Sequence, residues 1–130
     1  MGSLILAAAG LLEGRNATTH WALADQLNRL GAQQQRQRWV QDGTFLCSAG
    51  VSAGIDMALH LAAELTNEQP AKKAQLIIEY DPQPPFGGID WNTADLHVMT
   101  TLVDQWIHQA FADHPDMINR LTGDRAPSLP

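Results

Sequence analysis

Between Gly2 and Leu12 the chain reads Gly-Ser-Leu-Ile-Leu-Ala-Ala-Ala-Gly-Leu-Leu, a helix-forming stretch apolar on nearly every side. A helix of that kind cannot lie on a surface with one face in water, so it calls for cover on two faces. The run is too short to span a bilayer, which takes about 20 apolar residues. Gly10 interrupts it and no basic leader precedes it, so it does not read as a signal peptide. Gly14 is placed to terminate the helix.

The remaining pattern alternates helices with short β-prone stretches. Ala17-Thr18-Thr19 is β-prone, and Leu23, Leu27 and Leu30 then recur at helical spacing from Trp21 until Gly31. Residues 36–48 read as a hairpin: Arg36, Arg38 and Val40 alternate with polar neighbours, Asp42-Gly43 makes the turn, and Thr44 to Ser48 returns. A small-residue turn, Ser48 to Gly54, opens an amphipathic helix through Met57, Leu61 and Leu65. Asn67 caps the next helix, with Pro70 in its first turn. Asp81 to Gly88 holds three prolines and two glycines and excludes regular structure. Asn92 or Thr93 is expected to open a long helix carrying Leu96, Met99, Val103, Trp106, Ile107 and Ala110 on one face. A terminal helix is expected to start at Pro115 and stop before Gly123, with fraying beyond it. This alternation is α/β, yet the strands are too few to bury helices on both faces of a sheet.

Charge and cysteine content narrow the function classes. Residues 1–40 carry four arginines against Glu13 and Asp25, and the remainder carries four bases against twelve acids, for a net charge of −6. No helix presents a basic stripe, which argues against nucleic acid as a partner. One cysteine excludes a disulfide framework and a cysteine-rich zinc site. A cytoplasmic protein with no membrane contact is the expectation.

Several residue groups are chemically suggestive. Gly50-Val51-Ser52-Ala53-Gly54 is a literal G-x-S-x-G between a strand and a helix, the pattern of a serine-hydrolase elbow with Ser52 as nucleophile. Against it, Ser48-Ala49-Gly50 already turns and no glycine-rich oxyanion loop precedes it. A tight helix entry is the plainer reading. Cys47, inside the apolar strand Thr44 to Ser48, reads as a small core residue rather than a reactive thiol. His97, Asp104 and His108 share one helix face, but His97 lies about 16 Å along the axis from His108 at 1.5 Å per residue, too far for one metal ion. Thr18-Thr19-His20-Trp21 sits where a strand gives way to a helix, the place where open α/β sheets bind ligands. A capping role for Thr18 or Thr19 with a satisfied His20 stands equally beside that ligand-binding reading.

The stretch Gly2 to Leu12, with Gly14-Arg15 and Ala17-Thr18-Thr19-His20-Trp21, resembles the ThiJ/PfpI superfamily. Ser48-Ala49-Gly50-Val51-Ser52-Ala53-Gly54-Ile55-Asp56 is similar to that family's second glycine-rich turn. Glu79-Tyr80-Asp81-Pro82-Gln83-Pro84-Pro85-Phe86 resembles its isonitrile hydratase branch. The resemblance implies the class I glutamine amidotransferase-like fold, a three-layer α/β/α flavodoxin-like sandwich. Residues 1–88 would be the C-terminal part of that domain, and 89–130 a helical tail.

The implied reaction is hydration of an isonitrile to an N-substituted formamide by a cysteine thiolate, with no cofactor and no metal. The family's nucleophilic Cys-Thr-Gly elbow would place its glycine at Gly2 and its threonine at Met1, so the cysteine would precede residue 1. Cys47 stands in a different strand. No catalytic residue is therefore assigned. The expected pocket wall is Gly2, Thr19, His20, Ser48, Ala49 and Gly50, facing a small-molecule ligand. The alternative implied by resemblance is a ligand-sensing module, as in AraC-type regulators. The uncovered apolar helix leads to the expectation of a homo-oligomer, most simply a dimer.

Overall fold

The computed structural model describes residues 2–123; Met1, which the resemblance would set at the elbow, and the end of the chain expected to fray lie outside the described residues. The first helix, α1, covers Gly2–Ala8 rather than running on to Leu12. Gly10, at φ +77°, ends it. Its N–H donates to the Ala7 carbonyl (2.9 Å) and the Leu11 N–H to the Leu6 carbonyl (3.0 Å), the paired closing bonds of a Schellman motif. Expected cover on two faces is not found: Ser3 and Ala7 are buried, while Ile5 keeps 71% of its surface. A helix of seven residues ended by a glycine turn can bury one stripe, and the chain then folds back so that Leu12 enters the core.

Strand β1 (Asn16–Ala17) and strand β2 (Gln33–Gln34) pair in parallel. The crossover between them is a 3₁₀ turn at Trp21–Leu23 running into α2 (Ala24–Arg29). Strands β3 (Trp39–Asp42) and β4 (Phe45–Ser48) form the antiparallel hairpin, with Asp42 opposite Phe45. Gly43, at φ +61°, occupies the first position of its two-residue turn, where an L side chain would be strained. Arg36 to Arg38 are not strand. The Gln37 N–H instead donates back to the Gln35 carbonyl (3.0 Å), a three-residue turn that precludes extension. The Asp42 carboxylate accepts from the Asn16 N–H (2.8 Å) and so ties the hairpin to β1.

Helix α3 (Val51–Leu65) follows the hairpin, and α4 (Glu68–Ile77) is capped by Asn67, whose side chain accepts from the Gln69 N–H (3.0 Å). Residues 81–88 have no regular structure. Helix α5 is Thr100–Ala110, starting well after Asn92. The Asp90 carboxylate accepts from the Asn92 N–H (3.0 Å) and the Thr93 hydroxyl (3.2 Å), and the Asp95 carboxylate from the His97 N–H (2.9 Å). These local side-chain bonds hold turns where the apolar spacing alone reads as helix. Helix α6 is Pro115–Thr122, closed at Gly123.

One core joins both ends of the described chain. Leu12, Leu23, Leu27, Cys47, Val103, Ile107 and Leu121 belong to a single buried cluster. Helix α6 is locked to α2 by backbone acceptors: Arg120 Nε donates to the Arg29 carbonyl (2.9 Å) and Gln26 Nε2 to the Leu121 carbonyl (3.4 Å). The class is α/β, as the alternation predicts. No helix among the described residues is long and apolar enough to cross a membrane.

Candidate functional site

The end of β1 leads through Thr18 and Thr19 to His20, and the end of β4 leads through Ala49 to the start of α3. These two exits meet. A side chain built on Gly50 would stand 3.8 Å from Cδ2 of His20. They open on a cleft of about 1180 Å³, which Thr19, His20, Ala49 and Gly50 line together. Of the other two expected wall residues, Gly2 is the exposed first residue of α1 and Ser48 is the last residue of β4; neither is among the lining residues. The Ser48 hydroxyl turns instead toward Gly54, 3.5 Å from where a side chain there would begin.

Neither threonine caps the following turn. Thr18 donates to the Gln37 carbonyl (3.1 Å), and the cap is His20, whose Nδ1 accepts from the Ala22 N–H (3.3 Å). With Nδ1 accepting, the neutral ring carries its proton on Nε2, so His20 offers a donor. Burial holds its pKa below the usual 6.5, favouring that neutral form. Thr19 is 2% exposed, and its hydroxyl has no hydrogen-bond partner among the described residues. A buried hydroxyl without a partner is costly, and one lining a cleft is a ready donor for a ligand.

The first turn of α3 adds unpaired backbone donors. Gly50 caps it without a side-chain bond and no acidic residue sits there, leaving its N–H groups and the positive end of the helix dipole open to an acceptor. Ser52 lies in this turn, exposed, with ordinary helical backbone; among the described residues the one non-glycine at positive φ is Glu79. The G-x-S-x-G sequence is therefore a helix entry, because an elbow requires the serine on a strained strand-to-helix turn. Cys47 is buried in β4, within the core cluster. His97 precedes α5 instead of sharing its face, and His108 Nδ1 is occupied by the Asp104 carbonyl at 2.8 Å. Among the described residues no three His, Cys, Asp or Glu side chains are grouped to hold a metal ion.

Two features at the cleft or beside it escape a reading by pattern. Arg38 pairs with Asp56 on α3, and Asp56 accepts the Tyr80 hydroxyl at 2.6 Å. The carboxylate holds Tyr80 in its neutral form and raises its pKa. This chain ties the segment before the hairpin to the end of α4, and its signal was a lone tyrosine after a helix. The second feature is Trp91, which meets Trp21 edge-on with ring centres 6.3 Å apart. A tryptophan inside a segment without regular structure was the available clue.

Comparison with known proteins places this geometry. A family model described as the DJ-1/PfpI family matches residues 1–64. The chain is 50% identical over 93 residues to isonitrile hydratase of Pseudomonas putida, covering 72% of this chain and 41% of that one. It is 40% identical over 72 residues to the HTH-type transcriptional regulator CdhR of Pseudomonas aeruginosa, covering 54% and 21%. The crystal structure of a THiJ/PfpI family protein from Pseudomonas syringae superposes with a TM-score of 0.69 at 42% identity, over 94% of this chain and 48% of that one. The chain thus spans less than half the length of the relatives it matches.

Proposed function

Since the chain belongs, through residues 1–64, to the DJ-1/PfpI family and resembles its isonitrile hydratase branch, we propose that it supplies the wall of a site that hydrates an isonitrile to an N-substituted formamide. The observation that carries this reading is that Thr19, with its buried and unpartnered hydroxyl, the His20 ring and the open first turn of α3 line one cleft. The overall change adds water across the terminal carbon and nitrogen of R–N≡C to give R–NH–CHO. All three groups are donors, and the product's carbonyl oxygen is an acceptor, so the wall matches the end of the molecule that becomes the formamide. Ser48 stands beside this wall, packing against Gly54, and Gly2 is not part of it. The reading needs no metal and no cofactor, and it assigns the protein to the cytoplasm. Within the tail 89–130, α5 and α6 among the described residues close the core.

The nucleophile in such a reaction is a thiolate, and the single cysteine of this chain, Cys47, is a core residue of the hairpin. The 130-residue chain by itself is accordingly expected not to turn over. The test is formation of formamide from an aliphatic isonitrile, followed by chromatography. Product at the buffer rate, unaltered by thiol reagents, is expected. Thiol-sensitive formamide formation would return Cys47 to the site and overturn the reading. A ligand-sensing role is favoured by the identity to the regulator, but that identity is lower and shorter than the one to the hydratase.

A further inference from the structure

Residues 81–98 join α4 to α5 without helix or strand, and Ile89, Trp91, Leu96 and His97 from this segment line the cleft. The segment is fixed at both ends. At its start the Tyr80 hydroxyl donates to the Asp56 carboxylate on α3 (2.6 Å), and the Tyr80 carbonyl accepts from Gln75 Nε2 (3.1 Å). At its end Met99 packs against the core cluster. Between these points, among the described residues, the hydrogen bonds of residues 82–98 run only to sequence neighbours, as from the Gly87 N–H to the Pro84 carbonyl (3.0 Å). The large apolar side chains other than Trp91, namely Phe86, Ile89, Leu96 and Val98, are all exposed. What ties the middle of the span to the rest of the molecule is the Trp91 ring. Its centre lies 4.9 Å from the Arg36 guanidinium and 6.3 Å from the ring of Trp21. A span held so lightly between firm ends opens at little cost. Gly87, at φ +73°, and Gly88 supply a swivel, since a side chain built on either would meet nothing within 4 Å.

We propose that residues 81–98 are a strap that gates the cleft, turning at Gly87-Gly88 and fastened by Trp91 on Arg36 and Trp21. Fastened, Trp91 shields the Trp21 ring, which in turn stacks obliquely on His20 at 5.4 Å. Released, the strap leaves both rings open to water and the cleft open to exchange of its contents. The proposal stands apart from the hydratase reading, because it concerns access alone and no ligand enters its test.

The test follows broadening of the indole N–H resonances of the full 130-residue chain by an uncharged, water-soluble nitroxide. Trp21 reports on the clasp, while Trp39 and Trp106, which do not line the cleft, serve as references. Arg36→Gln removes the cation and should raise the broadening of Trp21 by about two- to fivefold, with Trp39 and Trp106 unchanged. Arg36→Lys should restore part of the protection, because an ammonium also binds a ring face. Gly88, whose φ is negative, accepts an alanine without a clash, so Gly88→Ala stiffens the swivel and should lower the broadening of Trp21 below that of wild type. This second variant keeps the test decisive if Arg36→Gln loosens the whole fold. Unchanged broadening of Trp21 in Arg36→Gln, or an equal rise at all three indoles, would overturn the clasp. A Gly88→Ala chain that broadens like wild type would overturn the swivel, and with it the strap.

Discussion

Thr19 concentrates the conflict between stability and function in one hydroxyl group. Its Oγ1 is buried and without a partner, a situation that destabilises a fold by about 1–3 kcal/mol. Thr19→Val keeps the shape and removes the unpaired group. It should raise stability by about 1 kcal/mol in urea titration and weaken formamide binding; a loss of stability would mean that the hydroxyl is already satisfied. His20 makes a complementary prediction through pH. Its pKa in the fold lies below 6.5 because burial disfavours the imidazolium. Above 6.5 both folded and unfolded states hold it neutral. As pH falls below 6.5 the unfolded state takes up the proton first, so stability drops, and the drop continues until the folded pKa is passed. Protonation also removes the Nδ1 acceptor from the Ala22 N–H. Urea midpoints between pH 7.5 and 5 should fall more steeply for wild type than for His20→Gln, and parallel curves would show that His20 titrates normally.

The elements divide by whether their signals are local. The hairpin, the Asn67 cap, and the limits of α6 at Pro115 and Gly123 were all legible, because turn glycines, cap side chains and a first-turn proline act within a few residues. The fold class was legible from alternation for the same reason. The extent of α1 and α5 was not. Apolar spacing predicts a helix wherever it recurs, yet Gly10 and the carboxylates of Asp90 and Asp95 supply closing bonds that compete with propagation. Of the residues that line the cleft, Thr19 and His20 stood where a strand gives way to a helix, a position that fits a cap as well as a ligand wall, and Ala49 and Gly50 came in only through the family resemblance; Trp91 gave no signal, because a contact across 70 residues of sequence leaves no local mark. The Gly10 stop is testable on its own. Gly10→Ala must place a side chain at φ +77°, and should lower stability by roughly 1–2 kcal/mol with α1 otherwise intact. An unchanged melting midpoint would show that α1 can run on past its glycine.

For the molecule as a whole, the open side of α1 is the feature that bears on assembly. Ile5 and Leu11 remain largely exposed, and burying one such side chain contributes about 1.5–3 kcal/mol. Association of two copies through this side, about a two-fold axis, is the expected way to cover them. Light scattering after gel filtration should give twice the chain mass at micromolar concentration; a stable monomer there would contradict it. The latch between α2 and α6 reaches further still, into how the chain is made. Its partners, Arg29 and Arg120, are 91 residues apart. At synthesis rates of about 5–20 residues per second, Arg29 emerges roughly 5 to 18 s before its acceptor carbonyl can be matched by Arg120. Throughout that interval Leu23 and Leu27 have no Leu121 to pack against, so this part of the core can close only after α6 has been made.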